Sequence, residues 1–189
     1  TAMVMRLRQL FRDDSLPFLN VQLPMWIAAG DEDKHDWARL RLAQARAASA
    51  LQPGGLAILL DCGEFDNIHP TDKRTPGERL CDVALRVVYG MDAPESPRAL
   101  GKYTQGDTLV VTLSAPVLRR ETGELLLEVA GEDGAYHPVQ SVTLAGAEMR
   151  LRSVAVLHPA KVRYAYVNWG KVALFGRNGL PLAPFALEG

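Results

Sequence analysis

Asp66 and His69 are the residues of this chain whose types and spacing best suit chemistry. They lie three residues apart in the segment DNIHP at 66–70, shortly after the apolar run LAILL at 56–60. The crevice beyond the carboxyl ends of the strands is where α/β enzymes keep their reactive groups. At this spacing, an aspartate on a short loop can accept the ring N–H of the histidine and leave the other ring nitrogen free as a base. We therefore predict that Asp66 orients His69 as a general base.

Such a pair normally activates a nucleophile, and no serine of this chain has a recognisable nucleophile setting. Ser15 precedes a predicted strand, and Ser49 lies late in a predicted helix. The remaining serines lie in a predicted linker or in the second half of the chain: Ser96, Ser114, Ser141 and Ser153. The sequence therefore predicts the base and its partner but not the nucleophile.

Simpler roles compete with chemistry in the same loop. Asp66 could do no more than cap a turn, and we expect Asp61 and Glu64 to shape the loop rather than to react. A pair of acid/base carboxylates, as in glycoside hydrolysis, is only weakly indicated. The other histidines are widely separated and lack ligand spacing, so no metal site is predicted: His35, His137 and His158.

Aromatic and polar side chains elsewhere have two possible roles each. The three tryptophans could stack on a sugar ring, but core packing is the better interpretation: Trp26, Trp37 and Trp169. Arg41 and Gln44 lie close to the apolar stripe of a predicted helix. A solvated position at the helix edge and a buried hydrogen-bonding role stay equally open for both.

Composition restricts the class of protein. The chain has 189 residues, of which 48% are hydrophobic and 23% charged, which suits one or two compact globular units. A net charge of −1 with scattered basic residues gives no reason to expect nucleic acid or a membrane surface as partner. We expect the two cysteines, Cys62 and Cys81, to be small packing residues. A first residue of Thr1 rather than methionine indicates a processed, trimmed or partial product.

The first half alternates helices and strands. Apolar periodicity predicts helices at 1–12, 33–51 and from 75 onward, and strands at 17–23 and 56–61. The predicted apolar stripe of the first helix consists of Met3, Val4, Leu7, Leu10 and Phe11, and that of the second of Trp37, Leu40, Ala47 and Leu51. This order implies parallel strands joined by right-handed crossovers. Two strands are too few for a doubly wound sheet, so the predicted sheet is incomplete.

The third helix has the best start and stop signals. Thr75 is the predicted N-cap, Pro76 takes the first helical position, and Glu78 completes a capping box. Gly90 is the predicted C-terminal stop.

The second half is rich in predicted strands. Residues 92–98 contain Pro94 and Pro97 and are typical of a linker. Short β-patterned runs follow at 108–114, 125–130, 139–144, 148–152 and 161–167. We therefore predict an α/β part over 1–91, a linker over 92–98 and a small antiparallel β-sheet or sandwich region over 99–189.

Six motifs in order resemble those of the sialate O-acetylesterases, nearly from end to end of the chain. They are PFLNVQLP at 17–24, WARLRLAQ at 37–44, DCGEFDNIHPTDK at 61–73 with RL at 79–80, AGEDG at 130–134, VRYAY at 162–166 and NGLPLAPF at 178–185. Each motif alone is modest evidence, but their common order is strong evidence.

The resemblance implies a fold and a reaction. This family belongs to the SGNH-type hydrolases, with a partial flavodoxin-like parallel sheet expected here, and it removes acetyl groups from sugar hydroxyls with a Ser-His-Asp triad. By resemblance, His69 is the general base and Asp66 its orienting carboxylate, and no cofactor or metal is needed. The substrate is an acetylated sugar, either sialic acid or another glycan. The resemblance favours a periplasmic or secreted protein, but the sequence itself leaves the compartment unknown.

The resemblance also implies that something is missing. The family's serine lies in a GQSN-like block, and no segment here matches that block. The chain therefore resembles the C-terminal portion of the enzyme, which needs an N-terminal segment or a second chain and is expected to be inactive alone. An unpaired strand edge also predicts self-association. The alternative is a non-catalytic remnant or a carbohydrate-contacting module.

Overall fold

The computed structural model describes residues 1–188 and has a mixed α/β architecture. The first half contains these elements: α1 Ala2–Phe11, β1 Phe18–Val21, α2 Asp36–Ala50, β2 Gly54–Ala57 and α3 Arg74–Val87. The second half contains these strands: β3 Ala99–Gln105, β4 Thr108–Leu113, β5 Val117–Arg119, β6 Leu127–Ala130, β7 His137–Pro138, β8 Ser141–Ala145, β9 Glu148–Arg152, β10 Lys161–Tyr164, β11 Leu174–Gly176 and β12 Phe185–Leu187. Within these residues, no helix combines the length and the apolar character needed to cross a membrane.

The strands β1 and β2 form a small parallel sheet, as the sequence predicted. Phe18 pairs with Gly54 at one end of the register, and Val21 pairs with Ala57 at the other. A Cβ at Gly54 would lie 2.3 Å from the carbonyl oxygen of Leu51 at the end of α2, and one at Gly55 would lie 2.3 Å from Val83 in α3. Because neighbouring strand residues face opposite sides, α2 and α3 cover opposite faces of the sheet.

The two glycines explain why β2 begins earlier than predicted. The sequence predicted the strand at 56–61, after Gly54 and Gly55. Side chains at these positions would push the helices away from the sheet, so glycine is what the close packing of α2 and α3 requires.

The inward faces of the first two helices differ from the predicted stripes. In α2 the buried positions are Ala38, Arg41 and Ala48. Of the predicted stripe, Leu51 at the end of the helix is buried, whereas Leu40 is 47% exposed. Alanines let α2 lie close to β1 and β2, and Arg41 turns inward to bond backbone carbonyls. The buried face of α2 is therefore shifted by one position from the predicted stripe, so that the hydrogen-bonding Arg41 faces inward in place of Leu40.

In α1 the buried residues are Val4 and Arg8. The Arg8 guanidinium donates to the carbonyl oxygens of Leu16 at 3.0 Å and Pro53 at 3.3 Å. The predicted apolar stripe is largely exposed within residues 1–188, with exposed fractions of 64% for Met3, 61% for Leu10 and 67% for Phe11.

The start of α3 also needs a correction. The helix begins at Arg74, and the side chain that caps it belongs to Asp72 rather than to Thr75. One carboxylate oxygen of Asp72 accepts the N–H groups of Arg74 at 3.0 Å and Thr75 at 3.1 Å. Glu78 makes an ion pair with Arg74 instead of the predicted capping box. The helix ends before Gly90, which has a φ of 63°, as predicted.

The second half forms antiparallel sheets. One sheet has the order β3-β4-β9-β8, another β12-β10-β6-β7, and β11 pairs with β5. The predicted strand at 148–152 coincides with β9, whose buried residues alternate as expected. The sequence analysis missed five strands: β3, β5, β7, β11 and β12. Four of these are two or three residues long, and β3 has no alternation of burial to reveal it.

One hydrophobic core extends through both halves. It joins Met25, Ile58 and Leu60 of the first half to residues such as Leu109 and Tyr164 of the second. Within the predicted linker, Pro97 is buried and its carbonyl accepts the N–H of Ala183 at 2.8 Å. The division of the chain at 91 and 99 stays a prediction, although the change from helices to strands occurs there.

Candidate active site

The loop between β2 and α3, residues 61–73, carries the predicted chemical residues and is fixed at its start by an ion pair. The Arg79 guanidinium donates to both oxygens of Asp61, at 2.6 and 2.8 Å, and to the carbonyl of Ile58 at 2.7 Å. The Arg79 side chain is only 11% exposed. Two parallel bonds of this kind fix orientation as well as distance. Asp61 therefore anchors the loop to α3, as the sequence analysis expected.

Gly63 lets this loop cross the backbone that follows β1. A Cβ at Gly63 would lie 1.9 Å from the carbonyl oxygen of Met25. Any side chain at this position would therefore collide with the backbone at Met25, so glycine is required for the close approach. The crossing brings the loop next to residues 26–29.

Glu64 closes the middle of the loop. One of its carboxylate oxygens accepts both the N–H and the hydroxyl of Thr71, each at 2.6 Å, and the other accepts the side-chain amide of Asn67 at 2.6 Å. The hydroxyl of Thr71 is the main cause that lowers the pKa of Glu64, followed by the Thr71 N–H and by Asn67. Glu64 thus shapes the loop rather than reacting, as expected.

Asp66 faces the segment that follows β1. Its backbone has a left-handed φ of 58°, and its N–H donates to the carbonyl of Ile27 at 3.0 Å. One carboxylate oxygen accepts the N–H of Ala29 at 2.8 Å. These contacts fix the carboxylate from one side.

His69 lies at the exposed end of the same loop. Its backbone N–H donates to the side-chain oxygen of Asn67 at 3.0 Å, and the following Pro70 is buried. Across residues 1–188, no hydrogen bond or ion pair joins the imidazole of His69 to the carboxylate of Asp66. The structure thus places both residues on one loop with their side chains unpaired, and their catalytic roles stay predictions.

Apolar side chains border His69. Phe65 is 55% exposed and Ile68 is 46% exposed. The Phe65 ring meets Trp169 edge-on, with 5.7 Å between the ring centroids. Trp169 in turn packs against the core of the second half, in agreement with its predicted packing role. An exposed apolar surface therefore adjoins the loop.

The thiol of Cys62 is not a nucleophile at neutral pH. Burial raises the pKa of Cys62 to about 12, and the negative charge of Asp61 adds to the effect. Because the thiolate is the reactive form, this cysteine is inert. Cys81 was predicted to be a packing residue as well, but it is exposed on α3 because it lies on the face turned away from the sheet.

Two residues of α2, Trp37 and Gln44, hold the backbone at the end of β1 and just after it. The Trp37 indole N–H donates to the carbonyl of Pro24 at 2.7 Å. The Gln44 amide accepts the N–H of Leu23 at 2.9 Å and donates to the carbonyl of Val21 at 3.1 Å. Trp37 and Gln44 are two helical turns apart and lie on one face of α2. This face therefore fixes the chain after β1. The open question about Gln44 is thereby decided in favour of hydrogen bonding.

Arg41 of α2 binds backbone carbonyls of the second half of the chain. One nitrogen of its guanidinium donates to the carbonyl of Ala165 at 3.1 Å and also to that of Val167. The side chain is fully buried, and burial lowers the pKa of Arg41 to about 10. The buried alternative therefore holds for Arg41 too.

Sequence reasoning missed a polar network around Asn168. The Asn168 N–H donates to Asp33 at 2.7 Å, its side-chain oxygen accepts the N–H of Trp37 at 2.9 Å, and its carbonyl accepts the N–H of Trp26 at 2.8 Å. Trp37 and Asn168 are 131 residues apart, so no local pattern could have indicated their contact.

A cavity of about 400 Å³ opens beside this network. Its lining combines two indole rings with charged and amide side chains: Trp26, Ile27, Asp31, Glu32, Lys34, Asp36, Trp37 and Asn168. A larger cleft of about 480 Å³ lies between α2, α3 and Phe185, and neither Asp66 nor His69 lines either cavity. The smaller cavity adjoins the candidate loop through Ile27, whose carbonyl accepts the N–H of Asp66.

The remaining histidines were not expected to bind a metal. His35 lies 3.2 Å from Asp33 and stacks on Tyr166, with 5.4 Å between the ring centroids. No group of three or more potential metal ligands occurs in the part of the chain that the structure describes.

No family model matches this chain, and no curated protein sequence matches it. Among solved structures, the chain is similar to the crystal structure of a novel carbohydrate acetylesterase from Xanthomonas citri, with 33% sequence identity and a TM-score of 0.88. The match covers 98% of this chain and 44% of that enzyme's chain. This chain therefore spans less than half the length of the enzyme it resembles.

Proposed function

We propose that this chain is part of a carbohydrate O-acetylesterase, an enzyme that hydrolyses acetyl esters on sugar hydroxyls. The observation that carries the proposal is the similarity to the Xanthomonas citri acetylesterase over 98% of the chain. The loop beyond the carboxyl end of β2 also supports it, because Asp66 and His69 on this loop are residue types that an esterase uses as orienting carboxylate and general base. The six motifs shared with sialate O-acetylesterases support placement among SGNH-type hydrolases.

In the proposed reaction, His69 takes the proton from a serine hydroxyl as the serine oxygen attacks the acetyl carbonyl. A tetrahedral oxyanion forms, which preorganised N–H donors would stabilise. His69 then gives the proton to the leaving sugar hydroxyl, and the acetyl group stays on the serine. Water next attacks this ester with His69 again as base, which releases acetate and restores the serine.

The position of Asp66 suits the part of an orienting carboxylate. One of its oxygens is held by the N–H of Ala29 at 2.8 Å. The other oxygen has no hydrogen bond to any residue in 1–188. In the proposed active form, the exposed His69 ring changes rotamer and pairs with that oxygen. We propose that this pairing is completed when the serine-bearing segment packs on the loop.

The serine is proposed to come from a segment outside residues 1–189, because no Gly-x-Ser-Asn segment occurs in the chain. The parallel pair β1 and β2 would then be the last strands of a flavodoxin-like sheet that the same segment completes. Residues 1–91 would belong to the hydrolase core and residues 99–189 to a β-rich region that packs on it. Chain 1–189 alone is expected to have no esterase activity.

The test compares variants of the complete enzyme that contains this chain. His69→Ala should lower the turnover of a chromogenic acetyl ester about 10³-fold or more, and Asp66→Asn should lower it by a similar factor, since members of a triad act as a unit. His158→Ala is the matched control, because His158 is also exposed but lies in the second half of the chain. Unchanged turnover in His69→Ala would remove His69 from the mechanism.

A carbohydrate-contacting module without turnover is the second candidate. The observation that favours it is the missing bond between Asp66 and His69 in residues 1–188. This candidate predicts that the complete protein binds glycans but releases no acetate from them, whereas the esterase releases acetate. Measurement of free acetate from an acetylated glycan separates the two.

A further inference from the structure

We infer that the cavity between Trp26 and Trp37 is a binding subsite for an uncharged sugar ring of the acetylated glycan. This inference rests on the proposed function, since it assigns a substrate class to the same site. At about 400 Å³ the cavity falls in the range of about 300–1,000 Å³ that ligand sites usually occupy. Its lining and its position are what identify the ligand.

Two indole rings form the apolar part of the lining. Their centroids are 5.2 Å apart and their planes are inclined by 55°. The indole N–H of Trp37 donates to the carbonyl of Pro24, so Trp37 offers an apolar face. The indole N–H of Trp26 is buried and has no partner within residues 1–188. The C–H groups of a sugar ring pack on indole faces of this kind.

Polar groups form the rest of the lining. Asp31 and Glu32 are exposed, and their carboxylates make no hydrogen bond to residues 1–188. Lys34 contributes an ammonium donor at the same cavity. Free carboxylates accept strong hydrogen bonds from neutral hydroxyl groups. The lining therefore has acceptors and donors for several hydroxyls of one ring.

The charge of the lining selects against acidic sugars. Asp31 and Glu32 bring two free carboxylates and Lys34 one ammonium group, while the third carboxylate, Asp36, is paired with Arg39. The lining thus has a net negative charge, which repels the carboxylate of a sialic or uronic acid. A neutral pyranose meets no such repulsion. The structure assigns the subsite to neutral glycans for this reason.

The subsite is joined directly to the loop of Asp66. Trp26 and Ile27 line the cavity, while the carbonyl of Ile27 and the N–H of Ala29 hold Asp66. On the other side, Asn168 lines the cavity, and its neighbour Trp169 contacts Phe65 on the loop. A ring bound in the cavity would therefore lie beside the loop on which the acetyl group is to be cleaved.

The test follows the indole N–H resonances of the three tryptophans by NMR while sugars are added to the chain. The probes are the neutral sugars xylotriose, cellotriose and mannotriose, and the acidic N-acetylneuraminic acid. At least one neutral sugar should shift the Trp26 resonance in a saturable way, and N-acetylneuraminic acid should bind at least about tenfold more weakly. Trp26→Phe identifies the resonance.

A double variant, Asp31→Asn with Glu32→Gln, tests the lining without touching the core. It should weaken binding of the neutral sugar about tenfold, because two charge-assisted hydrogen bonds become neutral ones. Glu121→Gln, an exposed residue outside the cavity, should bind as the unchanged chain does. The inference is overturned if no neutral sugar shifts Trp26, if the acidic sugar binds as tightly, or if the double variant binds unchanged. Since binding is read without acetate release, failure here and failure of His69→Ala are separate results.

Discussion

Glu64 shows how one carboxylate can shape a reactive loop without taking part in the reaction. It accepts three hydrogen bonds from Thr71 and Asn67, and these bonds lower its pKa. Asn67 in turn accepts the N–H of His69. The position of the imidazole is therefore linked to the ionised state of Glu64. In the same loop, the raised pKa of Cys62 removes the only thiol near His69 as a competing nucleophile among the described residues.

The loop is expected to loosen in acid for this reason. The folded state lowers the pKa of Glu64 below its ordinary value of 4.5, so its stabilising effect is present above that pH and is lost as the pH falls through the lowered value. The Tm difference between the unchanged chain and Glu64→Gln should be constant near neutral pH and shrink below pH 4.5. Thermal unfolding followed by circular dichroism measures it, with Glu121→Gln as the control. A difference that grows in acid would contradict the assignment.

Helix α2 is the element that positions the candidate site. Its inward face consists of alanines and hydrogen-bonding side chains rather than large apolar ones. These side chains bind backbone groups of neighbouring segments. Gln44 pairs with Val21 and Leu23 as a neighbouring strand would, since its amide has one donor and one acceptor. Trp37 donates to the carbonyl of Pro24, and Arg41 donates to the carbonyl of Ala165. These bonds hold the two segments that lead to the cavity residues Trp26 and Asn168.

Loss of the Gln44 amide should therefore be costly. Gln44→Ala leaves the Leu23 N–H and the Val21 carbonyl without partners in a half-buried position, which should lower the free energy of unfolding by about 1–3 kcal/mol. Arg46→Ala, at an exposed position of the same helix, should change it by less than about 0.5 kcal/mol. Chemical denaturation of both variants gives the comparison. Equal effects would show that Gln44 acts only through helix propensity.

At the scale of the whole molecule, the two halves share a buried core, whereas helix α1 leaves apolar side chains exposed. The β-rich half and the parallel sheet share one core. The apolar face of α1 is different, because Met3, Leu10 and Phe11 are exposed together within residues 1–188. A contiguous exposed apolar face of this kind marks an interaction surface.

Chain 1–189 is therefore expected to associate with itself when it is prepared alone. Replacing Met3 and Phe11 by glutamate should shift the population toward monomer, since a charge cannot be buried cheaply at an apolar contact. Light scattering at several concentrations measures the change. Gln9→Glu, at an exposed position of the same helix that is turned away from Met3 and Phe11, is the control. A monomer before any substitution would contradict the expectation.

The order of elements could be predicted from the sequence because it depends on local patterns. Helices at 1–12 and 33–51, two parallel strands and the β-rich second half all follow from periodicity and turn residues, which act within a few positions. The orientation of α2 could not be predicted in this way. It depends on carbonyls of Ala165 and Val167, which are more than 120 residues away and have no local signature.

The sequence by itself determined the type of fold, the loop of Asp66 and His69 and the resemblance to acetylesterases, because residue types and spacing carry that information directly. Only the tertiary structure decided which way Asp66 faces, that Arg41 is buried, that Gln44 bonds the backbone of Val21 and Leu23, and that Trp26, Trp37 and Asn168 line a cavity. These features arise where distant segments meet. Their geometry is set by packing and by the need to pair buried polar groups, and neither is written into any one stretch of the chain.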